Sequence, residues 1–249
     1  MGNKNRIGKV IAVIPDCQVR PGVPINHLQW IGKYIADKKP DFVVCVGDFA
    51  DMPSLNSYVV GKAEAEGTRY NEDLKSVHVA MKTLMTPILA EKNYHPELHL
   101  TLGNHEHRIE REAENNPKLQ GTISTKDLQY EKWGWKVHPF LKVLTICGIE
   151  FCHYFISGSM GRPVSSAAAL LKTRQNSAIM GHTQFTDVSF HPKTGKVAVF
   201  VGICYQHDEK YLTLQGNNDR RQIVMLNEVD HGTFDPMFVS LRFLSRKYA

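Results

Sequence analysis

Leu98-His99-Leu100-Thr101-Leu102-Gly103-Asn104-His105-Glu106 is the stretch that decides the fold. An apolar run in strand register stops abruptly at Gly-Asn-His-Glu. Glycine frees the backbone to turn sharply there. The three side chains that follow are an amide oxygen, an imidazole and a carboxylate, delivered together at a strand end. Open α/β sheets hold their ligands in the crevice beyond the carboxyl ends of the strands. Gly-Asn by itself is also a common surface turn. What weighs against that bland reading is that other strands of this chain end the same way.

Towards the N-terminus, residues 9–14 are almost continuously apolar and read as a strand buried on both faces. That strand stops at Pro15-Asp16-Cys17-Gln18. Residues 26–39 read as a helix with Leu28, Ile31 and Ile35 on one face, Asn26 as N-cap and Lys-Lys-Pro closing it. A second buried strand, 42–46, ends at Gly47-Asp48-Phe49-Ala50-Asp51. Strand, helix and strand in this order predict a parallel β-α-β unit. Residues 52–69 lack periodicity and read as a long loop beside the site. From 71 to 92, Leu74, Val77, Met81, Leu84 and Ile88 keep helical spacing, and Pro87 is expected to kink or end that helix. A charged helix is expected over 106–114.

Towards the C-terminus, 137–146 and 149–155 read as an antiparallel pair turning at Cys147-Gly148, the second strand reaching His153. A small-residue helix over 164–174 precedes a strand, 177–180, that runs into Gly181-His182-Thr183-Gln184. Residues 185–190 and 196–203 suggest a hairpin, and 222–228 and 237–243 two further strands. There is no internal repeat, low-complexity tract or linker. One domain over residues 1–249 is the expectation for a chain of this length.

The composition, 42% hydrophobic and 22% charged, is that of an ordinary globular chain. Lys+Arg 30 against Asp+Glu 25 gives a net charge of +5, a mild basic bias that suits an anionic partner such as a phosphate ester or nucleic acid. Five cysteines without Cys-x-x-Cys spacing, most of them in apolar runs, predict reduced buried thiols and a cytoplasmic setting. No apolar stretch reaches membrane-span length, and residues 1–6 are not followed by a signal-like run, so no membrane association is expected.

The strand-end groups, in order, are Asp16/Gln18, Asp48/Asp51, Asn104/His105, His153 and His182/Gln184. Carboxylate, amide oxygen and neutral imidazole together suit a divalent transition metal or Mg2+. These are too many ligands for one ion. Two ions ~3.5–4 Å apart with a bridging carboxylate would use them all and suit in-line displacement at phosphorus.

This order and spacing (Asp-x-Gln, Gly-Asp-x-x-Asp, Gly-Asn-His-Glu, a lone His on a strand, Gly-His-Thr-Gln) closely resembles the calcineurin-like metallophosphoesterase superfamily. The resemblance runs from Asp16 to Gln184. It is also similar to the small phosphoesterases carried by bacteria and their viruses. It implies a four-layer α/β/β/α sandwich with a dimetal centre at the strand ends. It further implies that Asp48 bridges the metals, that Asn104, His153 and His182 complete one site, and that Asp16, Gln18 and Gln184 complete the other. His105 would be no ligand but the acid that protonates the leaving oxygen, or a charge stabiliser, oriented by Asp51. The nucleophile would be a metal-bound hydroxide, with no covalent intermediate.

Two positions depart from the family's usual pattern: Gln18 and Gln184 stand where histidines are common. Amide oxygens are harder and weaker ligands than imidazole, so that site should prefer Mn2+ or Mg2+ over Zn2+. Arg20, Arg108, Arg111 and Arg162 lie near the motif blocks and are candidates for pairing with phosphate oxygens, Arg108 and Arg162 foremost. Relatives act on phosphodiesters, nucleic acids included, and on phosphomonoesters. The expectation is a phosphodiesterase, with a phosphomonoesterase as the alternative. A metal-binding module that lost catalysis is the rival from another class. The presence of both His105 and Asp51 argues against it.

Overall fold

Side-chain alternation in the buried strands sets the layers. In the computed structural model, which describes residues 8–209 and 217–249, Val10, Ala12 and Ile14 face a core shared with helices. Ile11 and Val13 face the opposite way, into a core shared with a second sheet. Residues 1–6, read above for a signal-like segment, lie outside the described residues. The strands and helices are β1 (Lys9–Ile14), α1 (Asn26–Lys38), β2 (Phe42–Cys45), α2 (Tyr70–Ala90), β3 (Glu97–Thr101), α3 (His107–Asn115), β4 (Lys136–His138), β5 (Leu144–Ile146), β6 (Ile149–Cys152), β7 (Ile156–Ser157), β8 (Arg162–Pro163), α4 (Ala167–Arg174), β9 (Ser177–Met180), β10 (Thr186–Phe190), β11 (Val197–Val201), β12 (Gln222–Asp230), β13 (Thr233–Ser240) and α5 (Leu241–Tyr248).

The first sheet has the order β13-β12-β1-β2-β3-β4, with β1 to β4 parallel. The second runs β10-β11-β9-β6-β5, parallel through β11, β9 and β6. Leu28 and Ile31 of α1, Met81 and Leu84 of α2 and Leu244 of α5 cover the outer face of the first sheet. Between the sheets, Ile11, Val13 and Val44 meet Phe151, Ile179 and Val199. Leu170 and Leu171 of α4 close the far side over Met180 and Phe200. The result is the expected α/β/β/α sandwich. Among the described residues no helix is long and apolar enough to cross a membrane.

Several local expectations change. The stretch 137–146 is not one strand. β4 pairs with β3 in the first sheet and β5 with β6 in the second. Pro139 follows β4 directly, and without an N–H it cannot extend the ladder. β12 and β13 extend the first sheet, whereas β10 and β11 lie in the second. Residues 241–243 are helical rather than strand, because the Ser240 hydroxyl accepts from the Phe243 amide and caps α5. Asn26 is the first residue of α1 and makes no cap bond; Ile25 stands before it. Of the cysteines, Cys147 is exposed and the other four are buried.

Pro87 lies inside α2, which continues to Ala90. So near the helix end, a missing N–H costs a single intrahelical bond. The proline faces Gly32 of α1, where an added Cβ would sit 2.2 Å from the Leu84 carbonyl oxygen and 3.2 Å from Pro87 Cγ. That glycine lets the α1 backbone come against the Leu84 carbonyl of α2. Gly32→Ala is therefore expected to cost about 1–3 kcal/mol by overpacking, read as a lower urea midpoint with an unchanged slope.

Candidate metal centre

Five strands, β1, β2, β3, β6 and β9, deliver their following residues to one edge. Glycine makes the convergence possible. A Cβ at Gly103 would lie 2.1 Å from Asp48 Oδ1, and one at Gly181 would lie 2.4 Å from Asp16 Oδ1. The backbone is also unusual where ligands were expected: φ is +42° at Gln18, +49° at Asp48, +66° at His182 and +62° at Gln184. Few non-glycine residues adopt this region, and such strain gathers at functional sites.

Asp48, Asn104, His153 and His182 meet. One ligand atom from each of Asp48, His153 and His182 lies within 4.8 Å of the others. Asn104 Oδ1 is 2.9 Å from His153 Nε2 and 2.8 Å from His182 Nδ1, and His153 Nε2 is 3.3 Å from Asp48 Oδ2. The His153 ring is fully buried, and its Nδ1 lies 2.8 Å from the Val46 carbonyl oxygen. A carbonyl only accepts, so Nδ1 carries the proton and Nε2 is left to face the site. Tyr154 packs against the His182 ring, with centroids 4.7 Å apart.

Asp16 and Gln18 are buried beside them. Asp16 Oδ1 accepts from the His182 amide at 3.3 Å, and the Gln18 amide donates to the Asp48 carbonyl at 2.8 Å. Asp16 Oδ2 and both polar atoms of the Gln18 side chain have no hydrogen-bond partner among the described residues. Leaving such groups unmatched costs about 1–3 kcal/mol each. A hard divalent cation matches these oxygens, so the donor set fits the implied metal. Gln184 Oε1 accepts from the Tyr205 hydroxyl at 3.3 Å. An amide oxygen has two lone pairs, so this bond orients the group without excluding ligation.

The electrostatics agree. Burial pushes Asp16 up to about 7 despite the nearby His153. Burial also raises Asp48, but His105 and His153 outweigh it and hold that carboxylate below the usual range. His153 is disfavoured as a cation by burial, yet Asp48 lifts it to about 9. Burial, reinforced by His153, lowers His182 to about 4. A cation would take the place of the proton on His153, as metal binding to imidazole requires.

His105 stands just outside this cluster. Its Nδ1 is 2.7 Å from Asp51 Oδ1, the orientation expected from the sequence. Asp51 is opposed by burial but held at about 2 by His105 and Arg20, so it accepts and Nδ1 donates. The other ring nitrogen is 3.2 Å from Arg108 Nη2 and 3.7 Å from Asp48 Oδ2. Burial lowers the His105 pKa, but Asp48 and Asp51 bring it above the ordinary histidine value.

Of the arginines, Arg108 is buried and donates to the Asp51 carbonyl at 2.7 Å and carboxylate at 3.3 Å. Arg20 bridges Asp51 and Glu209, at 2.7 and 2.8 Å. Among the described residues Arg111 reaches only the Ser57 hydroxyl, at 3.4 Å. Arg162 is exposed on β8 and, among the described residues, makes no hydrogen bond or ion pair with the centre.

Two features escaped the sequence reading. The Arg20–Glu209 pair joins residues 189 positions apart, and no local pattern announces it. Glu106 was read only as a carboxylate delivered with the ligands. It is fully buried and accepts from the amides of Gly103, Asp48 and Ala50 at 2.8, 2.9 and 3.0 Å, and from the Tyr130 hydroxyl at 3.2 Å. It ties the β2 and β3 ends together. The signal was present in its place, three residues after Gly103 at a helix start, where a carboxylate satisfies free amides.

The calcineurin-like phosphoesterase family model matches residues 9–157. The chain belongs to this family. The family is one of metal-dependent phosphoester hydrolases. Solved structures similar to it include wild-type Vps29 complexed with zinc from Entamoeba histolytica (13% identity, TM-score 0.42, covering 93% of this chain and 99% of that one). Another is a dimetal phosphatase from Danio rerio (9%, 0.43, covering 95% and 100%). A third is a predicted phosphoesterase from Streptococcus pneumoniae (10%, 0.35, covering 92% and 97%). No curated protein matches the chain.

Glu106→Gln keeps one oxygen where two accept and turns an NH2 towards backbone amides or the Tyr130 hydroxyl. It is expected to cost about 1–3 kcal/mol, the range for leaving buried polar groups unmatched. Urea unfolding would show it, and a midpoint equal to wild type would assign the tie elsewhere.

Proposed function

We propose that the protein is a dimetal phosphodiesterase, with Asp48, Asn104, His153 and His182 holding one divalent ion and Asp16, Gln18, Gln184 and the shared Asp48 holding the other. The oxygen-rich second set favours Mn2+, with Mg2+ as its nearest substitute. Bound cations supply the charge that polarises a phosphoryl oxygen and activates water. The rest of the chemistry belongs to the chain. Water oxygen adds to phosphorus, the P–O bond to the alcohol breaks, and the departing oxygen takes a proton from His105 Nε2. Asp51 fixes the imidazole from its other side. Arg108 only donates, so protonating Nε2 requires that guanidinium to give up its place there. An inactive scaffold has no use for this pair.

The observation that carries the diester reading is the engagement of the arginines. Arg20 is held by Asp51 and Glu209, and Arg108 by Asp51. Neither is left as a clamp for the second negative charge of a phosphomonoester. Leu102 precedes Gly103, and Phe49-Ala50-Asp51-Met52 follows Asp48, where the phosphoprotein phosphatase pattern carries arginines. A diester has one charge to neutralise and a poorer leaving group, so it relies on a positioned acid. Nuclease or nucleotide-cleaving activity is one form of this reading. The four buried free thiols fit a reducing, cytoplasmic setting.

His105→Ala is expected to lower turnover by roughly 10²–10⁴-fold and to keep its metal, whereas Asp48→Ala should lose both. Elemental analysis beside the assay separates the two roles, and metal loss in His105→Ala would reassign that residue as a ligand. With Mn2+, bis-p-nitrophenyl phosphate should be cleaved faster than p-nitrophenyl phosphate. The reverse preference, with no cleavage of DNA, RNA or cyclic nucleotides, would establish the monoesterase alternative.

A further inference from the structure

We propose that the cavity beside His105 is the leaving-group pocket, and that Asp73 in its wall selects alcohols bearing positive charge or hydrogen-bond donors. This rests on the phosphoesterase reading above and adds a substrate class to it. The cavity encloses about 430 Å³ under the 52–69 loop, and its wall includes His105, Asp51 and Arg108 but none of Asp48, His153 and His182. It therefore lies on the His105 side of the site and not among the ligand residues.

The wall is acidic although the chain is basic overall. Asp51, Glu64, Glu66, Glu72, Asp73 and Glu209 line it, against three arginines; Glu72 pairs with Lys75, and among the described residues Glu64, Glu66 and Asp73 have no ion-pair partner. Arg20 and Arg108 are already ion-paired with Asp51 or Glu209, and Arg69 donates to the Thr68 carbonyl. Asp73 is the telling residue. It is 1% exposed, and its Oδ2 accepts from the Ser54 amide and hydroxyl at 3.0 and 2.6 Å. Its Oδ1 has no hydrogen-bond partner among the described residues. A buried carboxylate oxygen without a donor is costly, and a ligand ammonium, amino or hydroxyl group would match it with a charge-assisted bond. A leaving group carrying a phosphate or carboxylate would meet like charge instead. A polynucleotide threaded through the pocket would set its next phosphate among these carboxylates. The favoured substrate is thus a diester whose departing alcohol is cationic or donor-rich.

Three methyl aryl phosphates, with leaving phenols carrying 4-aminomethyl, 4-methyl or 4-carboxyl groups, test this with Mn2+. The kcat/KM is expected to fall in that order, by about tenfold from first to last, a modest demand on a Coulombic contrast near a protein surface. Asp73→Asn keeps an oxygen for Ser54 and should flatten the series, with its thermal melt confirming the fold. The free phenols, titrated by calorimetry into protein without added metal, should bind in the same order. That arm is independent of hydrolysis. Preferential binding without cleavage of any ester would support the pocket and sink the phosphoesterase reading. Cleavage of all three at equal rates, with equal binding, would do the reverse. A charge preference that persists undiminished in Asp73→Asn would overturn the role of Asp73.

Discussion

The Gly103 backbone lies so close to the Asp48 carboxylate that not even a methyl group fits between them. Two parallel strands must end in register, turn, and press their turns together for one carboxylate to reach the middle of the site. Glu106 makes this arrangement stable. One carboxylate, placed a single turn after the glycine, collects amides from both turns and removes the cost of leaving them unpaired inside the protein. The inter-sheet core fixes the other side. Phe151 and Ile179 pack against Val13 and Val44, so the residues after β6 and β9 arrive opposite those after β1 and β2. His153 is locked at that junction by the Val46 carbonyl.

This architecture gathers Asp16, Asp48, Asp51 and Glu106 in a buried space with few compensating charges. Each carboxylate is handled differently. Asp51 is paired with Arg20, Arg108 and His105, and Glu106 is surrounded by amides. Asp48 is held ionised by two imidazoles, whereas Asp16 is pushed to about 7 by burial, with one oxygen unmatched. The unmatched oxygens of the centre thus lie on Asp16 and Gln18. A cation would satisfy them, and Arg20 and Arg108 are engaged elsewhere.

Much of the centre was legible because most of its groups come in short blocks, a glycine or proline followed by polar residues after an apolar strand. Asp48, Asn104 and His182 stand in such blocks, whereas His153 follows Cys152 and was joined to them by its strand-end position and the family resemblance. The layers were legible too, since β1, β2 and β9 are apolar on both faces. What failed were segments in which hydrophobicity alone does not mark where one element stops and the next begins. Residues 137–146 look like one strand because hydrophobicity does not record a change of sheet, although Pro139 marks the break. Residues 237–243 are apolar enough for a strand, and Leu241 and Leu244 also suit a helix face. The Ser240 cap decides between them. The Arg20–Glu209 contact had no signal at all, and with it went the chance to see that Arg20 is occupied.

His105 divides the site into two electrostatic halves. On one side lie buried donors that call for cations, and there an anionic phosphate gains. On the other is a cavity whose carboxylates outnumber its arginines, with Asp73 holding an unmatched oxygen. Asp51 belongs to both halves: it orients the imidazole and shares the Arg20 guanidinium with Glu209 of the pocket wall. The orientation of the imidazole and the charge of the pocket are therefore set by one connected network. Moving Arg20 towards an anion would take one of three cationic partners from Asp51 and the arginine from Glu209, making the pocket more acidic. The network that positions His105 also disfavours a second anion beside it. This coupling follows from the placement of the charges alone.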